Sequence, residues 1–165
     1  MPVPTPPRRQ PDQLGLRATK TGGTWEWPRD TSGGCKEKAS AMRVLDRIDG
    51  QEKLLVRAMY DRLLRDAERG RLRFGARKDV STLVTKPWLL ELRVQVNPGH
   101  KDVGRRHLLR LYFAEPQSLP SILLALRLTP KPRAGDPDGT QDRHIREANQ
   151  TYESGEHRRW GISSK

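Results

Sequence analysis

The sequence is short of the residues that staple small proteins together or hold metals. Cys35 is its only cysteine, so neither an intrachain disulfide nor a cysteine-based metal site can form. Four histidines, His100, His107, His144 and His157, lie without metal-ligand spacing, and the stretch from Arg143 to His157 has too few donors for a site. No metal and no cofactor is expected. No apolar run approaches the roughly twenty residues of a membrane helix, and the opening MPVPTPPRRQP lacks the apolar centre of a signal peptide; a cytoplasmic protein with no membrane partner is expected. A phosphate-cradling glycine loop is missing too, since GTQDRH and GRLRFG lack the required spacing. A turn at Asp49-Gly50 would join a short helix to a long amphipathic one, which are not the proportions of a helix-turn-helix.

Acidic residues are also scarce, 20 against 32 Lys and Arg in 165 residues, for a formal net charge of +12. Such a surplus attracts polyanions and makes their binding salt-dependent. Nucleic acid or the ribosome is therefore the favoured partner class, ahead of a basic protein that is merely soluble. The length suits one domain with tails.

Residues 1–35 carry proline at 2, 4, 6, 7, 11 and 28 and glycine at 15, 22, 23, 33 and 34. They read as a flexible tail with no packed element, apart from Trp25 and Trp27, which can dock on the domain or on a partner. Helical periodicity then runs through Ala41, Val44, Leu45 and Ile48, and again through Leu54, Leu55, Ala58, Met59, Leu63 and Ala67. This predicts two helices, or one broken at Asp49-Gly50, ending at Gly70. Arg69, Arg71, Arg73, Arg77 and Lys78 crowd the helix exit as a solvated loop or a phosphate-contacting rim.

After Pro87 the period becomes 2. Trp88, Leu90, Leu92, Val94 and Val96 share one face and Leu89, Glu91, Arg93 and Gln95 the other. Past a turn at Asn97-Pro98-Gly99, His107, Leu109, Leu111 and Phe113 alternate with Arg106, Leu108, Arg110 and Tyr112. In a third strand Ile122, Leu124, Leu126 and Leu128 alternate with Leu123, Ala125, Arg127 and Thr129. Short connections predict an antiparallel meander. With the aliphatic faces on the helices, Arg93, Arg110 and Arg127 emerge together on the opposite face, towards solvent, a carboxylate such as Glu91, or a phosphate. A turn-rich loop with Lys131 and Arg133 leads to a short helix over 141–153, in which His144 takes an exposed position, and then a loose tail over 154–165. The expectation is an α+β domain over 36–153, in the order α-α-β-β-β-α, with an antiparallel sheet, helices on one face and an open basic face.

The segments PWLLELRV (87–94), LLRLYFAEP (108–116), SILLALRLTPKP (121–132) and DRHIREANQTY (142–152) together resemble the RelE/HigB toxin superfamily, particularly its phage-derived host-inhibition branch. The resemblance covers roughly residues 38–153. It implies a RelE-like fold and an endoribonuclease (mRNA interferase) of a type II toxin-antitoxin system, cleaving mRNA on the ribosome and restrained by a cognate antitoxin. By the same resemblance Glu91-Leu92-Arg93 matches the family's ELR triplet, Arg110 its central-strand arginine and Lys131 the basic residue after the last strand.

Metal-free RNA cleavage by 2′-OH attack needs a base, cations for the crowded phosphate and an acid for the leaving oxygen. Arg93, Arg110 and Arg127 suit the cationic role, because a guanidinium bonds a phosphate through two donors. Lys131, Tyr112, Glu91 and Tyr152 are the acid-base candidates, in that order. Arg73, Arg77, Lys78, Arg106 and Arg133 complete the expected RNA-binding set. The chain departs from the family pattern in having a single lysine between Pro130 and Pro132 and no histidine at the end of the last strand. Two alternatives stay open: a non-catalytic RNA- or ribosome-binding module on the same face, and a protein-interaction subunit that takes a peptide by strand addition.

Overall fold

The computed structural model describes residues 21–48, 50–75, 78–95, 109–130 and 139–163, leaving aside the side chain of Gln51. The two expected helices are present as α1 (Lys36–Asp46) and α2 (Gly50–Glu68). Gly50, at φ 45°, opens the second helix in a conformation that L side chains rarely adopt. The meander is present as β3 (Leu90–Val94), β4 (Leu109–Ala114) and β5 (Ile122–Pro130), followed by α3 (Thr140–Gly155).

The sheet nevertheless has five strands and is mixed, not purely antiparallel. The order is β1-β5-β4-β3-β2, where β1 is Thr24–Glu26 and β2 is Val80–Thr82. β1 runs parallel to β5 and the other pairings are antiparallel. β1 comes from the stretch expected to hold no packed element. Gly22 and Gly23 let it in: a Cβ on Gly22 would collide with the Glu68 carbonyl, and one on Gly23 would lie 2.8 Å from the Ser121 oxygen. Thr24 N–H then donates to that Ser121 carbonyl at 2.9 Å. Trp25 pins the strand. Its Nε1–H donates to the Leu64 carbonyl of α2 at 2.9 Å and its ring meets Phe113 of β4 edge-on at 5.1 Å.

Helices cover both faces of the sheet, which corrects the one-sided arrangement. On the first face Ala41, Leu45, Val56, Tyr60 and Leu63 of α1 and α2 pack on Leu90, Leu92, Leu111, Phe113 and Leu123. On the second, Ile145, Ala148 and Tyr152 of α3 pack on Leu89, Tyr112, Leu124 and Leu126. Period 2 tells which residues share a face but not which face stays bare. The apolar stripe of α3 needed a surface, and Tyr112 with the even residues of β5 supplied one. His144 is accordingly buried in this layer instead of exposed. Trp88 also packs there, not with Leu90 and Leu92, and donates to Asn149 Oδ1 at 2.7 Å. Part of the segment expected to be a loose C-terminal tail is folded too: a 3-10 turn over Glu156–Gly161 buries Trp160, whose Nε1–H donates to the Tyr152 carbonyl at 2.8 Å.

A bulge resets the parity of β5. Tyr112 pairs with Arg127 but Phe113 with Ala125, so Leu126 is an extra residue. Leu123 and Ala125 therefore face α1 and α2, whereas Leu124 and Leu126 face α3. Only from Arg127 onward does the strand follow the expected alternation.

Two stability measurements test this packing. Trp25→Ala removes a hydrogen bond and an aromatic contact and should cost about 3 kcal/mol in urea unfolding; a loss below about 0.5 kcal/mol would show β1 to be dispensable. Burial of Tyr60 raises its pKa to about 12, above the usual 10. A raised folded-state value means stability that is complete below about pH 10 and lost as pH climbs towards 12. Thermal melts over pH 8–12 should therefore fall less steeply for Tyr60→Phe than for the wild type.

Candidate functional site

Antiparallel register sets the arginines on the second face in known positions. Arg93 of β3 lies directly opposite Arg110 of β4, Glu91 opposite Tyr112, and Arg110 opposite Thr129 of β5. Two like charges opposite one another on adjacent strands repel. Glu91, with only 2% of its side chain exposed, resolves the conflict. Arg93 Nε donates to its Oε1 at 2.9 Å and Arg110 Nη1 to its Oε2 at 3.1 Å. Arg93 Nη2 also donates to Ser81 Oγ of β2 at 3.0 Å. One carboxylate thus ties two guanidiniums across two strands, with β2 steadying the first.

The cluster carries one net positive charge, two cations against one anion. Arg93 and Arg110 keep 23% and 12% of their side chains exposed, and neither spends all five of its donors. Arg110 Nε is buried without a hydrogen-bond partner, as is the neighbouring Thr129 hydroxyl. Charge-assisted donors held in fixed orientation are what a phosphate oxygen requires.

The remaining expected residues are dispersed. Arg127 shares the face with Arg110 by register, but its Nη2 pairs with Glu147 Oε2 of α3 at 2.8 Å. It lines a separate cleft. Tyr112 is fully buried beneath α3 and Tyr152 lies in the same core, so neither stands on an open face. Arg73 forks onto Asp79 with its backbone N–H, Nε and Nη2 at 2.9–3.3 Å; that hydrogen bonding raises its pKa further. Lys78 is exposed on the same loop. Arg77, Arg106, Lys131 and Arg133 lie outside the described residues.

Ser81 and Glu147 are the partners that sequence reasoning did not single out. The β-branched residues of Val80-Ser81-Thr82 were a signal for the first; for the second, only the bulge explains the meeting. Among the described residues no group of three or more His, Cys, Asp or Glu could hold a metal, and no helix is long and apolar enough to cross a membrane. Neither models of known protein families nor curated protein sequences match this chain.

Glu91→Gln leaves Arg93 and Arg110 opposed with no carboxylate between them. It should cost about 3 kcal/mol in urea unfolding, whereas Glu91→Leu combined with Arg110→Met should recover most of that loss. Failure of the double variant to recover would show that Glu91 acts through other partners.

Proposed function

We propose that this chain is a RelE/HigB-type toxin, an endoribonuclease that seats an RNA phosphate against Arg93 and Arg110 and is kept in check by a cognate antitoxin. The reading rests on the Glu91 bridge: a buried carboxylate orients two guanidiniums from adjacent strands and leaves the cluster positive. Both arginines belong to segments that carry the family resemblance, and a helix pair, an antiparallel meander and a later helix are among the elements of this α+β chain, beside two short strands that the resemblance does not include. The chain's formal net charge of +12 supplies the long-range attraction to RNA. As the ribose 2′-OH attacks, negative charge grows on the phosphate oxygens and the fixed donors stabilise it. Proton transfer falls to groups beyond the cluster, Lys131 first among them.

One observation favours a second reading. Tyr112 is fully buried, which removes an acid-base candidate from the reach of substrate and suits a non-catalytic RNA- or ribosome-binding module using the same two arginines. Controlled expression with mapping of RNA ends separates the two. The wild type should arrest growth and generate discrete RNA ends, and Arg110→Ala, shown to be folded by near-UV circular dichroism, should raise colony counts at least tenfold. Salt-sensitive RNA binding without new ends would assign the second reading. A folded Arg110→Ala protein as toxic as the wild type would remove Arg110 from the mechanism.

A further inference from the structure

β5 has an incomplete neighbour. β1 pairs only with Ile122–Leu124. Beyond the Ala125 N–H, which the parallel register turns onto the Glu26 carbonyl, β5 has β4 on one side and, among the described residues, no strand and no other backbone hydrogen bond on the other as far as Pro130. In any β-strand alternate N–H and C=O groups point sideways, so this stretch presents an unpaired row of them. The row does not open onto bulk solvent. Leu126, Arg127 and Leu128 lie in a cleft of about 500 Å³ between α1 and α3.

The cleft walls are polar helix faces. Lys36, Ser40 and Arg43 of α1 line one side and Glu147, Gln150 and Ser154 of α3 the other. Both sets follow helical spacing, so each helix turns one continuous polar face towards the other across the strand edge. The side chains of Leu126 and Leu128 are committed to the two cores and do not fill the space.

Its charges are unbalanced. Arg29, Lys36, Arg43, Arg127 and Arg158 face the carboxylates of Asp30, Glu37 and Glu147, five cations against three anions. Arg127 is held by Glu147, and the pKa of Asp30, lowered by the Ser32 hydroxyl and the Gly34 N–H, is lowered further by Arg158 without a direct ion pair. Asp30, also in the cleft, spends Oδ1 on the Ser32 N–H and hydroxyl and on the Gly34 N–H.

We propose that this cleft docks an acidic, extended peptide segment of another protein, added as a strand alongside residues 126–130. A strand rises about 3.3 Å per residue, so roughly five residues span the free edge. Successive side chains would point alternately to the α1 wall, which carries Lys36 and Arg43, and to the α3 side, where Arg158 stands at the mouth. RNA fits this place less well: among the described residues no aromatic side chain lines the cleft for base stacking, and a phosphate chain cannot match alternating amide donors and acceptors. The proposal stands on residues other than Arg93 and Arg110, so it can fail without affecting the RNA reading, and the reverse.

The test uses the full chain and a fluorescein-labelled decapeptide of alternating valine and glutamate, followed by fluorescence anisotropy at low salt. Binding should weaken at least tenfold for the peptide with glutamine in place of glutamate. It should weaken comparably for one N-methylated at alternate residues, which keeps its charge but cannot donate along one edge. Arg43→Glu combined with Arg158→Glu, both exposed positions, should also weaken binding tenfold while leaving the melting temperature and any RNA binding near wild type. Equal affinity for the N-methylated peptide would overturn strand addition. Unchanged binding by the double variant would overturn the location, and no binding by the wild type would overturn the proposal. An RNA oligonucleotide that binds the wild type, does not bind the double variant and displaces the peptide would reassign the cleft to RNA.

Discussion

The arrangement of the second sheet face turns on one buried carboxylate. Arg93 and Arg110 lie directly opposite on neighbouring strands, a placement that costs stability unless something stands between the charges. Glu91 does so from the strand that also carries Arg93, with one oxygen for each guanidinium. Since Glu91 itself lies opposite Tyr112, the polar cluster begins where the apolar layer under α3 ends. The same residue therefore stabilises the meander, divides the face into a packed and a polar half, and orients the two arginines of the expected set that lie together among the described residues.

Covering both faces is what confines that polar half. A half-open sheet could have spread its arginines over a broad basic surface. Here α3 and the Trp160 turn occupy the part of the face formed by Leu89, Tyr112, Leu124 and Leu126. Trp160 is fastened to the helix it follows by its bond to the Tyr152 carbonyl and by a ring contact at 5.0 Å. The turn that carries it passes through positive φ at Arg159 and Trp160, a backbone cost of about 1–3 kcal/mol per residue that burial of the indole offsets.

Periodicity made much of this legible. The stripes of α1 and α2, the alternation of β3 and β4, and the final helix could be read because each buries a face against a neighbour that does not move its register. What escaped notice depended on distant partners. β1 is three residues long; Trp25 and Trp27 marked the stretch as one that can dock, but nothing local made Thr24–Glu26 a strand, which exists because Trp25 reaches Leu64 and Phe113. β2 is equally short and is held by β3. His144 looked exposed in a helix read alone, but the whole helix was needed to cover the second face. The grouping of Glu91, Arg93 and Arg110 was visible in the sequence as parity, whereas the sharing of one carboxylate was not.

The bulge in β5 shows how a single extra residue decides function-bearing geometry. Ala125 faces α1 and α2, and two residues later an unbroken strand would have turned Arg127 into that same apolar layer. An unpaired guanidinium there would be prohibitive. Inserting Leu126 moves Arg127 to the face of Arg110, and in doing so shifts the charge sideways towards Glu147 and the cleft beside α3. Because Leu128 then returns to the first core, the correction is confined to one step of the strand. The three arginines that alternate so simply in the sequence thus serve two places: Arg93 and Arg110 share the buried carboxylate, and Arg127 belongs to the strand edge.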